Sequence, residues 1–239
     1  MTGTTLRKFL YKVIATLIYV CVVSTSPVKR STAEFSGPCF ALSEEGPSDP
    51  RPLNESLIDL KERTHGLSLK AQQLKEYLAE RHQYSDVTVN NLDDMNWMDK
   101  EEMLATDEQK EAAVLEPMEA LNSHMLLLAE HLLYVSQART VGAISEKKSE
   151  EETRGKLLDY ATELESCMCS LKIALLSGGY NGNSSVSDEV LDSNFTASSS
   201  PLLNATYRTY VTMQDAVDLM EFLNTIYDKI ELSLDDTEA

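Results

Sequence analysis

The segment LIDLKERTHGLSLKAQQLKEYL, residues 57–78, has the pattern that decides the fold. Apolar or small residues recur in it at steps of three and four, which places them on one face of an α-helix. They are Leu57, Leu60, Thr64, Leu67, Ala71, Leu74 and Leu78. Charged residues occupy the other faces, and the prolines before residue 53 cannot continue a helix, so the pattern predicts a first helix over about 53–81.

Three further segments repeat this spacing, with apolar stripes over residues 114–135, 157–175 and 216–230. The connections between successive helices are about 24, 12 and 30 residues long, so only the middle one is short. A short connection lets two helices lie antiparallel, whereas a long one can cross a bundle and start the next helix parallel to the last. The sequence therefore predicts an all-α fold, an up-up-down-down four-helix bundle with two long crossover loops. Within the first crossover, Asp86–Val89 favours a brief extended piece.

Residues that favour helix ends flank these stripes. Thr106–Gln109 has the form of a capping box, although Pro117 would delay the regular start of the second helix to about its own position. Gly178–Gly179 is typical of a helix C-terminus and closes the third helix. Thr209 or Thr212 is the candidate cap of the fourth.

The amino-terminal residues have the composition of a secretory signal peptide. Arg7 and Lys8 precede an apolar stretch whose uninterrupted part, the eleven residues from Val13 to Val23, is followed by small residues. Eleven residues are well short of the roughly 20 that a helix needs to cross a bilayer. We expect cleavage after Ser24 and secretion, with a retained signal anchor as the alternative.

Cleavage divides the chain into a signal peptide (1–24), a flexible leader (25–52), a helical domain (53–235) and an acidic tail (236–239). The net charge changes from −18 to −21, since residues 1–24 hold three basic residues and no acid. So acidic a chain repels nucleic acid and anionic membrane surfaces. We therefore expect a protein that binds no nucleic acid and does not insert into membranes after cleavage. Its charge either attracts basic partners or simply keeps the surface solvated. We also expect a monomer.

The cysteines that remain after cleavage are Cys39, Cys167 and Cys169. An odd number in an oxidising compartment allows at most one intrachain bridge. Cys167 and Cys169 lie about 200° apart around a helix, which excludes a bond between them. Cys39 is the available partner for Cys167 or Cys169, and a pair of buried helical thiols is the alternative.

Four acceptor motifs for N-glycosylation begin at Asn54, Asn183, Asn194 and Asn204. Three of them fall in one connection rich in Ser, Gly and Asn. A cluster of this kind behind a signal peptide marks an exposed loop, and we expect at least two of the four to be occupied.

The histidines do not form a catalytic or metal-binding motif. The sequence has no nucleophile elbow, glycine-rich phosphate loop or repeated Glu-x-x-His pair, so we expect no enzymatic activity, no metal and no cofactor. His124 and His131 share a helix face two turns apart, too far to bind one metal unaided. We expect a solvated or partly buried pair.

Two groups of aromatic residues are candidate contacts with a partner protein. Trp97 lies in the first crossover, and Tyr207, Arg208 and Tyr210 lie at the start of the last helix. Tyr, Trp and Arg are enriched at binding hot spots. The alternative is that Trp97 covers the bundle, as large loop residues usually do.

The run Lys61–Leu67, followed by Tyr77 and Leu78, resembles the first helix of cardiotrophin and ciliary neurotrophic factor. An amino-terminal cysteine facing cysteines of the third helix is similar to leukaemia inhibitory factor. With its four-helix pattern, the chain thus resembles a long-chain class I helical cytokine of the interleukin-6 family. The Phe-x-x-Lys motif that often begins the last helix in this branch is missing.

The resemblance implies a secreted ligand that assembles class I cytokine receptor ectodomains, namely the signal-transducing receptor shared by the interleukin-6 family and a second co-receptor. The exposed faces of the first and third helices would form one contact surface, and the first crossover with the ends of the last helix another. The alternative from another class is a secreted helical carrier or structural bundle that binds a small apolar ligand.

Overall fold

The computed structural model describes residues 51–142, 148–180 and 205–238, which all belong to one compact unit of the chain. These ranges are all-helical, with six helices and no strand. The helices are α1 (Leu53–Arg81), α2 (Asp86–Asp93), α3 (Asp107–Leu115), α4 (Pro117–Gly142), α5 (Lys148–Ser177) and α6 (Ala205–Glu238). None of them is long and apolar enough to cross a lipid bilayer.

The first helix is as the sequence predicts. It spans Leu53–Arg81, and all seven residues of the predicted stripe are buried. The apolar stripes of α4, α5 and α6 face the same core, so one apolar centre holds the four long helices together. Their burial, rather than intrinsic helix propensity, provides most of the stability of such helices.

The second predicted helix is two helices. Thr106 caps α3 as expected, since its Oγ1 accepts a hydrogen bond from Gln109 N at 3.2 Å and Gln109 Oε1 accepts one from Thr106 N at 3.1 Å. α3 ends at Leu115, and α4 begins at Pro117. Proline has no N–H to donate within a helix but is favoured at its first position, which explains the break.

Residues 86–89 are helical, so the predicted extended piece is wrong. They form the first turn of α2, where Ser85 Oγ accepts a hydrogen bond from Thr88 N at 3.2 Å. Capping by Ser85 satisfies a backbone donor that an isolated strand would leave to solvent.

The predicted start of the last helix is also wrong. Thr209 and Thr212 are buried inside α6, which already includes Ala205, and the Thr212 hydroxyl donates to Arg208 O at 2.8 Å. A helical threonine commonly bonds the carbonyl four residues earlier, so neither residue acts as a cap. At the other end α6 runs to Glu238, so residues 236–238 continue the helix instead of forming a separate tail.

The end of α5 follows the prediction from Gly178–Gly179. Gly179 has φ +74°, a left-handed conformation that favours glycine. Tyr180 N donates to Leu175 O at 2.9 Å, and Gly179 N donates to Leu176 O at 3.0 Å. These two bonds satisfy carbonyls at the helix end in the pattern of a Schellman motif.

Contacts between α1 and α6 run in reversed order along the two helices. Lys61 Nζ, near the start of α1, donates to Asp228 Oδ1 at 2.6 Å and to Glu231 Oε2 at 2.7 Å, near the end of α6. Lys75, near the end of α1, contacts Gln214 in the first half of α6.

Contacts of α5 with α1 and α4 are reversed in the same way. Arg63 Nη1 donates to Ser166 Oγ at 2.9 Å, whereas Arg81 Nη1, later in α1, donates to Glu152 Oε2 at 3.0 Å, earlier in α5. The side chain of Met118 at the start of α4 packs beside Gly178, just beyond the end of α5.

Ion pairs engage every lysine and arginine of α1. Their partners are acids of α1 itself, α2, α5 and α6. The five basic residues are Lys61, Arg63, Lys70, Lys75 and Arg81.

Candidate functional site

The first crossover is attached to α6 through a buried carboxylate. Asp215 Oδ2 accepts hydrogen bonds from Trp97 N at 2.8 Å and from Met98 N at 3.3 Å. Trp97 Nε1 donates to Arg208 O at 3.4 Å, and Tyr134 OH donates to Trp97 O at 3.2 Å. Trp97 therefore fills a site between α4 and α6.

Burial dominates the electrostatics of Asp215. It raises the pKa of the Asp215 carboxyl to about 7, against the two N–H groups of Trp97 and Met98, which lower it. Its Oδ1 has no hydrogen-bond partner. Near neutral pH this side chain therefore exchanges a proton while it holds the crossover.

An aromatic cluster lies beside this attachment. Tyr210 OH donates to Asp93 Oδ1 at 3.0 Å, and Lys75 Nζ lies 2.9 Å from the same oxygen and 5.4 Å from the centre of the Tyr210 ring. The ring of Tyr84 packs against Tyr207 and Tyr210, with centroid distances of 5.1 and 5.9 Å. The cluster joins the end of α1, α2 and α6.

The structure brings the four predicted contact residues to one region but buries three of them. Trp97, Arg208 and Tyr210 are 7%, 5% and 1% exposed, so their side chains pack within the bundle, and their contact with a partner protein stays a prediction. The physical reason is that α6 begins earlier than expected, which places Arg208 and Tyr210 on its packed part. Trp97 covers the bundle, and Tyr207 is the one of the four that is partly exposed.

His124 and His131 are buried, so the expectation of a solvated or partly buried pair is wrong. His131 Nε2 lies 3.2 Å from Tyr160 OH, and the His124 ring meets the rings of Phe222 and Tyr227 edge-on. Burial lowers the pKa of both histidines to about 3, so both rings are neutral at physiological pH. In the described residues, no three His, Cys, Asp or Glu side chains are placed to hold a metal.

The two cysteines of α5 differ. Cys167 has a free, buried thiol whose pKa burial raises to about 12, so a bridge from Cys39 to Cys167 is wrong. Cys169 is disulfide-bonded. Cys39, its expected partner, lies outside the described residues, so that pairing stays a prediction.

The glycosylation predictions also remain open. Asn54 is half-buried in the first turn of α1, where its Oδ1 accepts a hydrogen bond from Glu55 N at 2.8 Å. Asn183, Asn194 and Asn204 lie outside the described residues, as do the signal peptide and most of the leader.

A cleft of about 530 Å³ lies between α3, α4 and α6. We call it the acidic cleft. Its buried side is apolar, and its outer side carries carboxylates. The apolar residues include Ala113, Leu127, Phe222 and Ile226, and the carboxylates belong to Glu102, Glu116, Glu119 and Glu130.

Sequence reasoning missed both Asp215 and the acidic cleft. Asp215 is next to Ala216 in the apolar stripe of α6. An acidic residue among core positions is the sequence feature that could have indicated a buried carboxylate. The cleft has no comparable signal, because it depends on how α3 packs beside α4 after the break at Pro117.

No family model, no curated protein and no solved structure matches the chain. The interpretation of its function therefore rests on its own residues and their contacts.

Proposed function

We propose that this chain is a secreted, glycosylated, monomeric cytokine of the interleukin-6 family type, which signals by assembling class I cytokine receptors. The observation that carries the proposal is the order of the helix contacts. The first half of α1 contacts the later parts of α5 and α6, and the end of α1 contacts their earlier parts. In the same way, the start of α4 packs beside the end of α5. This order supports an up-up-down-down bundle in which α1 and α4 run parallel.

Such a bundle acts through its surface. A rigid body that presents separate faces to two receptor ectodomains brings their intracellular kinases together by binding alone, and complementary charges favour rapid association. Many ion pairs and one shared core give the four long helices the rigidity that this mechanism needs.

The outward faces of α1 and α5 carry exposed apolar side chains suited to one receptor contact. Ile58 and Leu69 on α1 and Leu158 on α5 are about half exposed. Apolar side chains that remain on the surface of a packed bundle are candidates for a protein interface.

The first test uses purified, secreted protein on responsive cells and on a panel of class I receptor ectodomains. We expect phosphorylation of a signalling transcription factor at nanomolar dose. Leu69→Glu should weaken receptor binding by tenfold or more, because it introduces a charge into an apolar contact, and should leave the melting temperature unchanged.

The matched control is Leu126→Glu. Leu126 is an exposed leucine of α4, outside both proposed receptor surfaces. It should keep full receptor binding. A wild-type protein that binds no ectodomain in the panel and elicits no phosphorylation would contradict the cytokine proposal. The acidic cleft favours the second candidate, a carrier, which predicts bound ligand and no cell response.

A further inference from the structure

The acidic cleft combines an apolar wall with uncompensated negative charge. Phe222 and Ile226 of α6 form part of the wall. The carboxylates of Glu102, Glu119 and Glu130 lie around it, and none of the described residues that line it is Lys or Arg. Elsewhere on the bundle, ion pairs join basic side chains of α1 to acids of α5 and α6, whereas no such pair is seen among the described residues that line the cleft.

The negative charge of the cleft makes the ionised form of Glu130 less favourable. Glu130 is partly buried, and burial together with the nearby carboxylates of Glu102 and Asp99 raises its pKa to about 7. A cation placed beside it would relieve this repulsion.

His124 provides a second, independent feature. Its side chain is 4% exposed and lines the cleft, and its Nδ1 has no hydrogen-bond partner. A buried polar atom without a partner is uncommon in folded proteins, and a ligand that donates to it would satisfy it when the ring carries its proton on Nε2. The ring stays neutral, so it would not repel a cation.

The dimensions and the aromatic wall agree with a small molecule. Ligand pockets usually enclose about 300 to 1,000 Å³, with mostly apolar walls and a few placed polar groups. Phe222 also lines the cleft, and an aromatic ring can attract an ammonium group.

We propose that the acidic cleft binds a small organic cation, an amine attached to an aromatic or aliphatic body. The ammonium group would lie against the carboxylate of Glu130 and donate to Nδ1 of His124, and the body would lie on the apolar wall. This inference does not depend on the cytokine proposal.

The test is a titration of the secreted full chain with phenethylamine, followed by NMR and calorimetry. The neutral analogue 2-phenylethanol has the same ring and differs at the polar group. We expect phenethylamine to bind at least tenfold more tightly, since a charge-assisted hydrogen bond is lost with the alcohol. The imidazole nitrogen resonances of His124 should shift on binding of the amine.

Binding should also depend on pH. The titratable groups that face the cleft are Glu102, Glu116, Glu119, Glu130 and His124, Asp99 also lies near Glu130, and α6 contributes apolar residues. Glu130 loses its proton near pH 7 while an alkylamine stays charged, so affinity should rise several-fold between pH 6 and pH 8.

The variants separate the cleft from the overall charge of the chain. Glu130→Gln should weaken phenethylamine binding about tenfold and abolish the rise with pH. Glu62→Gln removes the same charge from the exposed face of α1 and should change nothing. If Glu130→Gln does not fold, Glu119→Gln serves instead, with a several-fold loss expected.

Three results would overturn the proposal. They are equal affinity for the amine and the alcohol, no binding of the amine at millimolar concentration, and resonance shifts that lie away from α3, α4 and Phe222. If the wild-type protein binds the amine but binds no receptor ectodomain and elicits no phosphorylation, this inference stands and only the cytokine proposal is contradicted.

Discussion

At the scale of single residues, the carboxyl of Asp215 is the most consequential group that the sequence did not reveal. An acid in an apolar stripe is expected to point outward, but here it turns inward because it accepts two backbone N–H groups of the crossover. Donors of this kind come from a segment more than a hundred residues away, so no local pattern predicts them.

Asp215→Asn should change how stability depends on pH. The folded-state pKa of about 7 lies above the unfolded value of 3.8, so the wild type loses stability as pH rises through this interval. Asparagine can still accept the N–H groups but does not titrate. The free energy of unfolding of the variant, relative to wild type, should therefore rise by about 2 to 3 kcal/mol between pH 5 and pH 8.

Urea denaturation at a series of pH values measures this difference. Asp94→Asn, which removes an exposed acid of the same crossover, is the control for the loss of one negative charge. A constant difference between Asp215→Asn and wild type across the range would show that Asp215 does not titrate as a buried group.

At the scale of elements, the sequence predicts the helices that are long and periodic. The bounds of α1 and the end of α5 are correct because their stripes and terminal residues agree. α2 was missed because four residues with two valines favour a strand until the cap at Ser85 is seen. The start of α6 was misplaced because threonine is favoured both as a cap and inside a packed helix.

Two glycine substitutions test the helix assignments with opposite signs. Gly66→Ala lies inside α1, where an added Cβ meets nothing within 4 Å, and it should stabilise the protein by about 0.5 to 1 kcal/mol. Gly179→Ala has equal space but a φ of +74°, and it should destabilise by about 1 kcal/mol. Chemical denaturation measures the change in the free energy of unfolding for both variants. If both changes were stabilising, or both destabilising, either the helical conformation of Gly66 or the left-handed conformation of Gly179 would be contradicted.

At the scale of the whole molecule, we predict that a disulfide links the leader to the bundle. We expect one disulfide, Cys39 to Cys169, and one free thiol at Cys167. In the native protein, an alkylating reagent should leave Cys167 unmodified, because the thiol is buried and its pKa is raised to about 12. Denaturant without reductant should expose that single thiol.

Peptide mapping by mass spectrometry identifies the bridge. Reduction should lower the free energy of unfolding by on the order of 4 to 5 kcal/mol on the chain-entropy model. Cys169→Ser, measured without reductant, should give the same loss. Rapid alkylation of native Cys167, or a bridge that includes it, would refute this connectivity.

The ion pairs of α1 also affect how the molecule would approach a partner. Since ion pairs neutralise every lysine and arginine of that helix, while no ion pair of the described residues engages Glu116, Glu119 or Glu130, the electrostatic potential should be negative on the α3–α4 flank. Such an uneven potential gives the molecule a transverse dipole moment. A cationic surface would therefore orient the protein during the encounter so that the α3–α4 flank makes contact first. Added salt would weaken this orienting effect because it screens the charges.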